Sequence, residues 1–320
     1  MSSAGSSSGA TIPVWRRLLY TGAVLAVFLA LLEGALSLVS PVELWLRRDE
    51  ISRASEGGRL IVALGDSVTM GFGLPREQAW PARLQGWLAD RGLAGARAAA
   101  GVNPRQGWTV VNRAAGGSKL DHVVQRDEDW LAQRGPATHP IVLLMVGHND
   151  LMSWSGMGGS AGGLAPPPGP PRWTPRLLRV LLWGVGMARE ELPTDLFSKT
   201  DVDQFAEGVA RLVSASRASG GELVLLTYLV PGEAASDQDP QLARLVHAKR
   251  EHQLAINALL RQVAADRGLP LLDLARTLPV PATWDPDWFI DDIHLSPEGA
   301  HRVGEAVGTW LLTTNRLSSN

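Results

Sequence analysis

Four short stretches of this 320-residue chain carry the residue types that acyl transfer needs. The first, LGDSVTMGFG (64–73), sets Ser67 directly after an apolar run, in a glycine-flanked turn. A hydroxyl held there, beside backbone N–H groups, has what an acyl-transfer nucleophile requires. Alone, Gly-Asp-Ser is a common turn composition and carries little weight. The second, VVNRAAGGSKL (110–120), offers Gly116 and Gly117, where a backbone N–H can approach a ligand without a Cβ in the way. By itself that pair reads equally as the approach to a helix. The third, LLMVGHND (143–150), ends a strand with Asn149, whose carboxamide can donate to a developing oxyanion. Plain loop or cap roles are the ordinary use of Asn149 and Asp150. The fourth, WFIDDIHLSPEGAHRV (288–303), places Asp291 one turn ahead of His294, where its carboxylate can reach the imidazole Nδ1–H and fix the tautomer. A lone histidine near an aspartate is more often structural. The combination, in one order along the chain, points to a nucleophile, an oxyanion site and a general base.

Such residues work only if the fold brings them together. From Arg59 onward short apolar runs alternate with helical patterns. Strands are expected at Leu60–Leu64, Thr109–Val111, Ile141–Val146, Leu223–Tyr228 and Leu269–Leu272. Helices are expected at about Ala79–Arg91, Leu120–Arg134, Val202–Ser219 and Leu242–Arg267, with a last one starting at Pro297. In the third helix Val202, Phe205, Val209, Leu212 and Val213 share a face, Thr200 or Asp201 can cap it, and Gly220–Gly221 ends it. In the last, Val303, Val307, Trp310 and Leu311 supply the apolar face, and Ser296-Pro297 fixes the start, so His294 sits on a firmly held loop. This alternation predicts an α/β fold of three layers, α/β/α, around a parallel five-stranded sheet. Ligands bind beyond the carboxyl ends of strands in such sheets, which is where the four stretches lie.

The four stretches together resemble the blocks of the SGNH, or GDSL-type, hydrolase family, over most of the chain from Arg59 to about Leu312. The resemblance implies a flavodoxin-like sheet and makes Ser67 the nucleophile and, through its backbone N–H, an oxyanion donor. Asn112 followed five residues later by glycine selects Gly117 over Gly116 as the second donor. Gly147 to Asp150 makes Asn149 the side-chain donor, and Asp-x-x-His gives Asp291 and His294. Asp292 is one residue out of that pattern. Asp66 and Asp150, beside Ser67 and Asn149, are expected in supporting roles. His148 fills a variable position of the family; it could touch substrate, though lining the loop is the commoner use. Trp284 and Trp288 could stack on a sugar ring, though core packing is the commoner use of such residues. The implied reaction is two-step ester cleavage through an acyl-enzyme, with no cofactor and no metal. The same residues would serve an O-acyltransferase, with a sugar hydroxyl replacing water. A non-catalytic glycan- or nucleotide-binding module is the alternative of another class; neither a G-x-G-x-x-G nor a Walker lysine supports phosphate binding.

Composition sets outer bounds. The chain is 45% hydrophobic with a net charge of −2, so no basic field attracts nucleic acid. With no cysteine, thiolate catalysis, cysteine zinc sites and disulfides are ruled out. Residues 1–17 read as a disordered cytoplasmic tail. Leu18–Val39 is nearly all apolar and, as a helix, would span roughly 33 Å, about one hydrocarbon core. Glu33 opposes insertion by roughly 3 kcal/mol, but the leucines, valines and phenylalanine outweigh it. Trp15 and Trp45 flank the run at interfacial positions. Residues 18–40 are therefore expected to be a transmembrane anchor, with the catalytic domain outside the cytoplasm, periplasmic or at the cell surface. A cleaved signal with Ala35 and Ser37 before the cut, or a buried helix, are the alternatives. A linker over 41–58 leads to a hydrolase domain at 59–314, followed by a tail at 315–320. The Gly/Pro-rich insertion 151–199 is too long for an ordinary connection. Its Trp173, Leu177, Leu178, Val180, Leu181, Leu182 and Trp183 could cover an acyl pocket, lie on a bilayer, or pack on the domain.

Overall fold

The computed structural model describes residues 59–95, 107–134, 139–150, 199–233 and 240–318, all within one compact unit. Five strands, β1 (Arg59–Gly65), β2 (Trp108–Asn112), β3 (Ile141–Met145), β4 (Glu222–Leu226) and β5 (Leu271–Leu272), form an all-parallel sheet of order β2-β1-β3-β4-β5. β1 and β3 lie at its centre, and their apolar runs follow from that: a strand covered on both faces has no polar side to show. Leu60 through Leu64 and Ile141 through Val146 are all buried. The register pairs Ile61 with Ile141 and Gly65 with Met145, so the chain leaves both strands at one level of the sheet edge. The strand order reverses between β1 and β3, which opens a crevice at their carboxyl ends.

Numbered in chain order, the described helices are α1 (Ser67–Met70), α2 (Trp80–Asp90), α3 (Leu120–Ala132), α4 (Lys199–Ala218), α5 (Pro240–Arg267), α6 (Leu274–Thr277) and α7 (Pro297–Thr313). Right-handed crossovers running one way along the sheet put α2 on one face, and those running the other way put α3 and α4 on the opposite face. α7 returns to pack on α2, and α3 packs on α4. Gly304 and Gly308, one turn apart on α7, allow that approach. A Cβ on Gly304 would stand 2.8 Å from the Arg83 Cβ and one on Gly308 2.5 Å from the Trp87 ring. Since the loop carrying His294 runs straight into α7, this helix pair holds that loop as well as the core.

The expected strands and helices all form, with shifted ends. β4 stops at Leu226 because Tyr228 spends its N–H on the Asn257 carboxamide (2.8 Å). β5 keeps two residues, since Pro270 has no N–H to add to a ladder. α4 is described from Lys199, with Asp201 in its first turn; the Gly221 N–H closes its far end on the Ser216 carbonyl (2.9 Å). Residues 315–318 are no separate tail: Leu317 is buried, its carbonyl accepts from the Trp108 indole (3.4 Å), and the Arg59 guanidinium reaches the Ser318 carbonyl (3.1 Å). The apolar run 18–39, the linker and residues 151–198 of the insertion lie outside the described residues. Among the described residues no helix is long and apolar enough to cross a membrane.

Candidate active site

The site is assembled at the carboxyl ends of β1, β2 and β3, with the loop before α7 closing it. After β1, Asp66 caps α1 by accepting from the Val68 N–H (3.0 Å), which leaves Ser67 as the first helical residue. The N–H of a first helical residue has no acceptor within its own helix. The Ser67 Oγ lies 2.9 Å from the His294 Nε2, and the His294 Nδ1 lies 2.7 Å from the Asp291 Oδ2. Residues 227 positions apart thus meet in one hydrogen-bonded line.

The local sequence accounts for this placement. The other oxygen of Asp291 accepts from the backbone N–H groups of Ile293 (2.9 Å) and His294 (2.7 Å), which curls 291–294 into a tight turn. Burial pushes the Asp291 carboxyl up, but these bonds and the imidazole N–H outweigh it and hold the group below the ordinary carboxylate value. An ionised Asp291 keeps the proton on Nδ1, so Nε2 is free to accept from the serine. Asp292 does not take this place. Downstream, Ser296 caps α7 through the Gly299 N–H (3.0 Å) and donates its own hydroxyl to the Asp287 carbonyl (2.6 Å). The Trp284 indole donates to the Asp291 carbonyl (3.0 Å).

The second and third loops bring further N–H groups to this edge of the sheet. Gly117 adopts φ +69°, a left-handed conformation that favours glycine, and its N–H meets no acceptor among the described residues. The Asn149 carboxamide gives one N–H to the Ser118 carbonyl (3.1 Å), which fixes it beside the Gly117 turn. A second N–H remains on the same nitrogen. Both carboxylate oxygens of Asp150 accept the Leu120 N–H (3.0 Å each), tying the end of β3 to the start of α3. Asn112 donates to the Thr69 carbonyl (3.0 Å) and accepts from the Ala114 N–H (3.1 Å), which ties the second loop to α1.

Beneath this surface lies a buried polar layer. The Tyr228 hydroxyl donates to the Asp66 Oδ2 (2.6 Å). Burial raises Asp66 to about 6 despite the Tyr228 and Val68 bonds, and raises Asp150 to about 7 despite the Leu120 bond. Burial beside Asp66 also pushes the Tyr228 phenol well above its ordinary value.

Ser67, Gly117, Asn149, Asp291 and His294 are brought to one rim, with Asp66 and Asp150 under it as supports. Two of the suggested substrate contacts lie elsewhere. His148 is buried beside Tyr228, ring centres 6.4 Å apart. Trp288 is in the core with the Arg302 guanidinium over its ring (4.4 Å). Trp284 is half-buried and its indole N–H holds the Asp291 carbonyl. Tyr228 was not among the expected site residues. A tyrosine ending a strand gives no sign in sequence of which carboxylate it will meet. Among the described residues no three acidic or histidine side chains gather as a metal site.

The sequence pattern of the GDSL-like Lipase/Acylhydrolase family matches residues 63–302. An arylesterase from Vibrio mimicus is 29% identical over 100 residues, covering 31% of this chain and 42% of that enzyme, so the chain spans under half the length of this relative. Among solved structures, TesA is 20% identical, covers 79% of this chain and 98% of its own, and superposes with a TM-score of 0.46. A catalytic mutant of Axe2, an acetylxylan esterase from Geobacillus stearothermophilus, is 19% identical over 78% of this chain and 93% of its own, with a TM-score of 0.43. Likenesses of that size carry nothing about substrate. The family match spans most of the chain and contains every residue of the site, and the chain belongs to the GDSL-like lipase/acylhydrolase family of ester-cleaving hydrolases.

Proposed function

We propose that the protein is a serine esterase that cleaves carboxylic esters through a Ser67–His294–Asp291 triad. The observation that carries this reading is the continuous line from Ser67 Oγ to His294 Nε2 (2.9 Å) and from His294 Nδ1 to Asp291 Oδ2 (2.7 Å). Nε2 takes the hydroxyl proton as Oγ bonds to the carbonyl carbon. The carbonyl oxygen becomes an oxyanion and is met by the N–H groups of Ser67 and Gly117 and by the Asn149 carboxamide. The ester C–O bond then breaks and the departing alcohol takes the proton from Nε2. Water repeats the sequence on the acyl-enzyme, yielding the carboxylic acid and free Ser67.

The substrates proposed are acyl groups on carbohydrate or lipid. The segment 18–40 is proposed as a membrane anchor holding the hydrolase domain outside the cytoplasm, on the length and apolar character of Leu18–Val39. Turnover of a panel of acetate and longer esters by the purified full chain tests the activity, with Ser67→Ala beside it. Loss of turnover in the variant supports the triad; near-normal turnover in a folded Ser67→Ala protein removes it.

A further inference from the structure

Among the described residues, four large apolar side chains are conspicuously exposed: Phe72, Leu254, Ile290 and Leu312. Single exposed apolar residues are ordinary on a protein surface. Two of these four, however, lie far apart in sequence and come together at the catalytic histidine. The Phe72 ring stands 4.6 Å from the His294 ring, inclined at 37°, while half of the residue remains open to solvent (50%). Ile290, 42% exposed, donates its N–H to the His294 carbonyl (2.9 Å). The end of its side chain lies over Gly73, so closely that a β-carbon on that glycine would collide with it. Phe72, Gly73 and Ile290 therefore form one apolar ledge along His294.

The ledge is held in place from behind. The Phe72 N–H donates to the Ser67 carbonyl (2.9 Å), so Phe72 is tied to the nucleophile's own turn. Ile290 sits at the mouth of a short antiparallel bridge, Phe289 with Leu295, that carries the histidine. Leaving a fixed aromatic ring half-exposed forgoes the gain of burying it, unless something apolar covers it during use.

The mechanism says what that cover is. A tetrahedral carbon on Ser67 has its oxyanion toward Gly117 and Asn149, on the β2 and β3 side. The oxygen of the departing alcohol must lie within reach of His294 Nε2, because that nitrogen protonates it. The body of the alcohol then continues past the histidine, onto Phe72 and Ile290. We infer that Phe72 and Ile290 form a leaving-group subsite, and that the enzyme selects esters whose alcohol portion is apolar and bulky. This rests on the serine-esterase reading and narrows its two proposed substrate classes to the lipid-like one, because a sugar would bring a polar body to this ledge: the specificity lies in the alcohol, on the histidine side of the bond.

The test uses the full chain and two acetates of similar chemical reactivity, ethyl acetate and 2-phenylethyl acetate, which differ in the apolar body of the alcohol. The kcat/KM ratio of phenylethyl over ethyl ester should be on the order of tenfold or more, the scale of added apolar contact in a pocket. Phe72→Ser and Ile290→Ser should each pull that ratio toward one. The ratio of ethyl octanoate to ethyl acetate, which varies the acyl group instead, should hold through both substitutions. A wild-type ratio near one overturns the subsite. So does a ratio that survives both substitutions, or a Phe72→Ser change that falls on the acyl series alone. Labelling by a fluorophosphonate probe separates the two levels: a labelled enzyme with no alcohol preference loses this inference only, and an unlabelled folded enzyme loses the esterase reading as well.

Discussion

Replacing Asp150 by asparagine should stabilise the fold at pH 8 and give no advantage at pH 4. Asp150 is buried, and its folded-state value of about 7 lies well above the ordinary 3.8. Burial is the main cause, so the folded protein binds the proton more tightly than the unfolded chain does. The stabilisation is complete below about pH 4 and is lost as pH rises through about 7. At about 1.4 kcal/mol per pH unit, the interval from 3.8 to about 7 amounts to about 4 kcal/mol by pH 8. Asparagine carries no charge to bury and keeps an oxygen for the Leu120 N–H. Against this, its new N–H₂ must find an acceptor and the bond to Leu120 loses its charge, together roughly 1–3 kcal/mol. The net expectation is about 1–3 kcal/mol in favour of Asp150→Asn at pH 8. In a domain of this size that is a rise in Tm of roughly 2–12 °C. At pH 4 the advantage should vanish or reverse. Urea unfolding at several pH values from 4 to 9 measures it directly. Stability curves that run parallel across that range, with wild type above throughout, would refute the reasoning.

Other substitutions read other parts of the site. Asn149→Ala should lower kcat roughly 10²–10³-fold with the fold intact, checked by steady-state kinetics beside circular dichroism. Asp291→Asn should cost about 10⁴ in kcat, because an amide cannot hold the Nδ1–H tautomer, and the loss should appear with every ester tried. Tyr228→Phe removes the donor to buried Asp66, whose folded-state value of about 6 would then rise further. It should cost roughly 1–3 kcal/mol at pH 8, where Asp66 is ionised, and less near pH 4, where it is protonated. Urea unfolding at those two pH values decides this; an equal loss at both would mean that the hydroxyl does not serve the carboxylate.

Much of the fold and site is legible in the sequence, for physical reasons. β1 and β3 are continuous apolar runs, and α4 and α7 repeat their buried residues at helical spacing, so the layers could be written down from pattern alone. The site residues sit where those patterns stop, which in a parallel sheet is the ligand-binding edge. Asp291 and His294 are three apart, so their contact is a local turn. Less legible was whatever depends on three-dimensional neighbours. Tyr228 serves Asp66 across 162 residues, and Asn112 reaches the backbone of Thr69 across 43, both through contacts made only when strands align. Trp284 and Trp288 look alike in sequence, yet one donates to the Asp291 carbonyl and the other fills the core. His148 stands beside Asn149 in sequence and is nevertheless buried, with its ring near that of Tyr228, which nothing local in the sequence foretells. Strand ends moved for similar reasons: Asn257 claims the N–H that would have continued β4.

The central claim is that His294 activates Ser67, and its most direct measurement is the mass and position of a covalent adduct. Incubating the full chain with a fluorophosphonate and mapping its peptides should find one phosphonyl group per molecule, on Ser67, with Asp291→Asn labelled far more slowly and Ser67→Ala not at all. A folded protein that takes no label, or takes it on another residue while Ser67 stays free, would contradict the account.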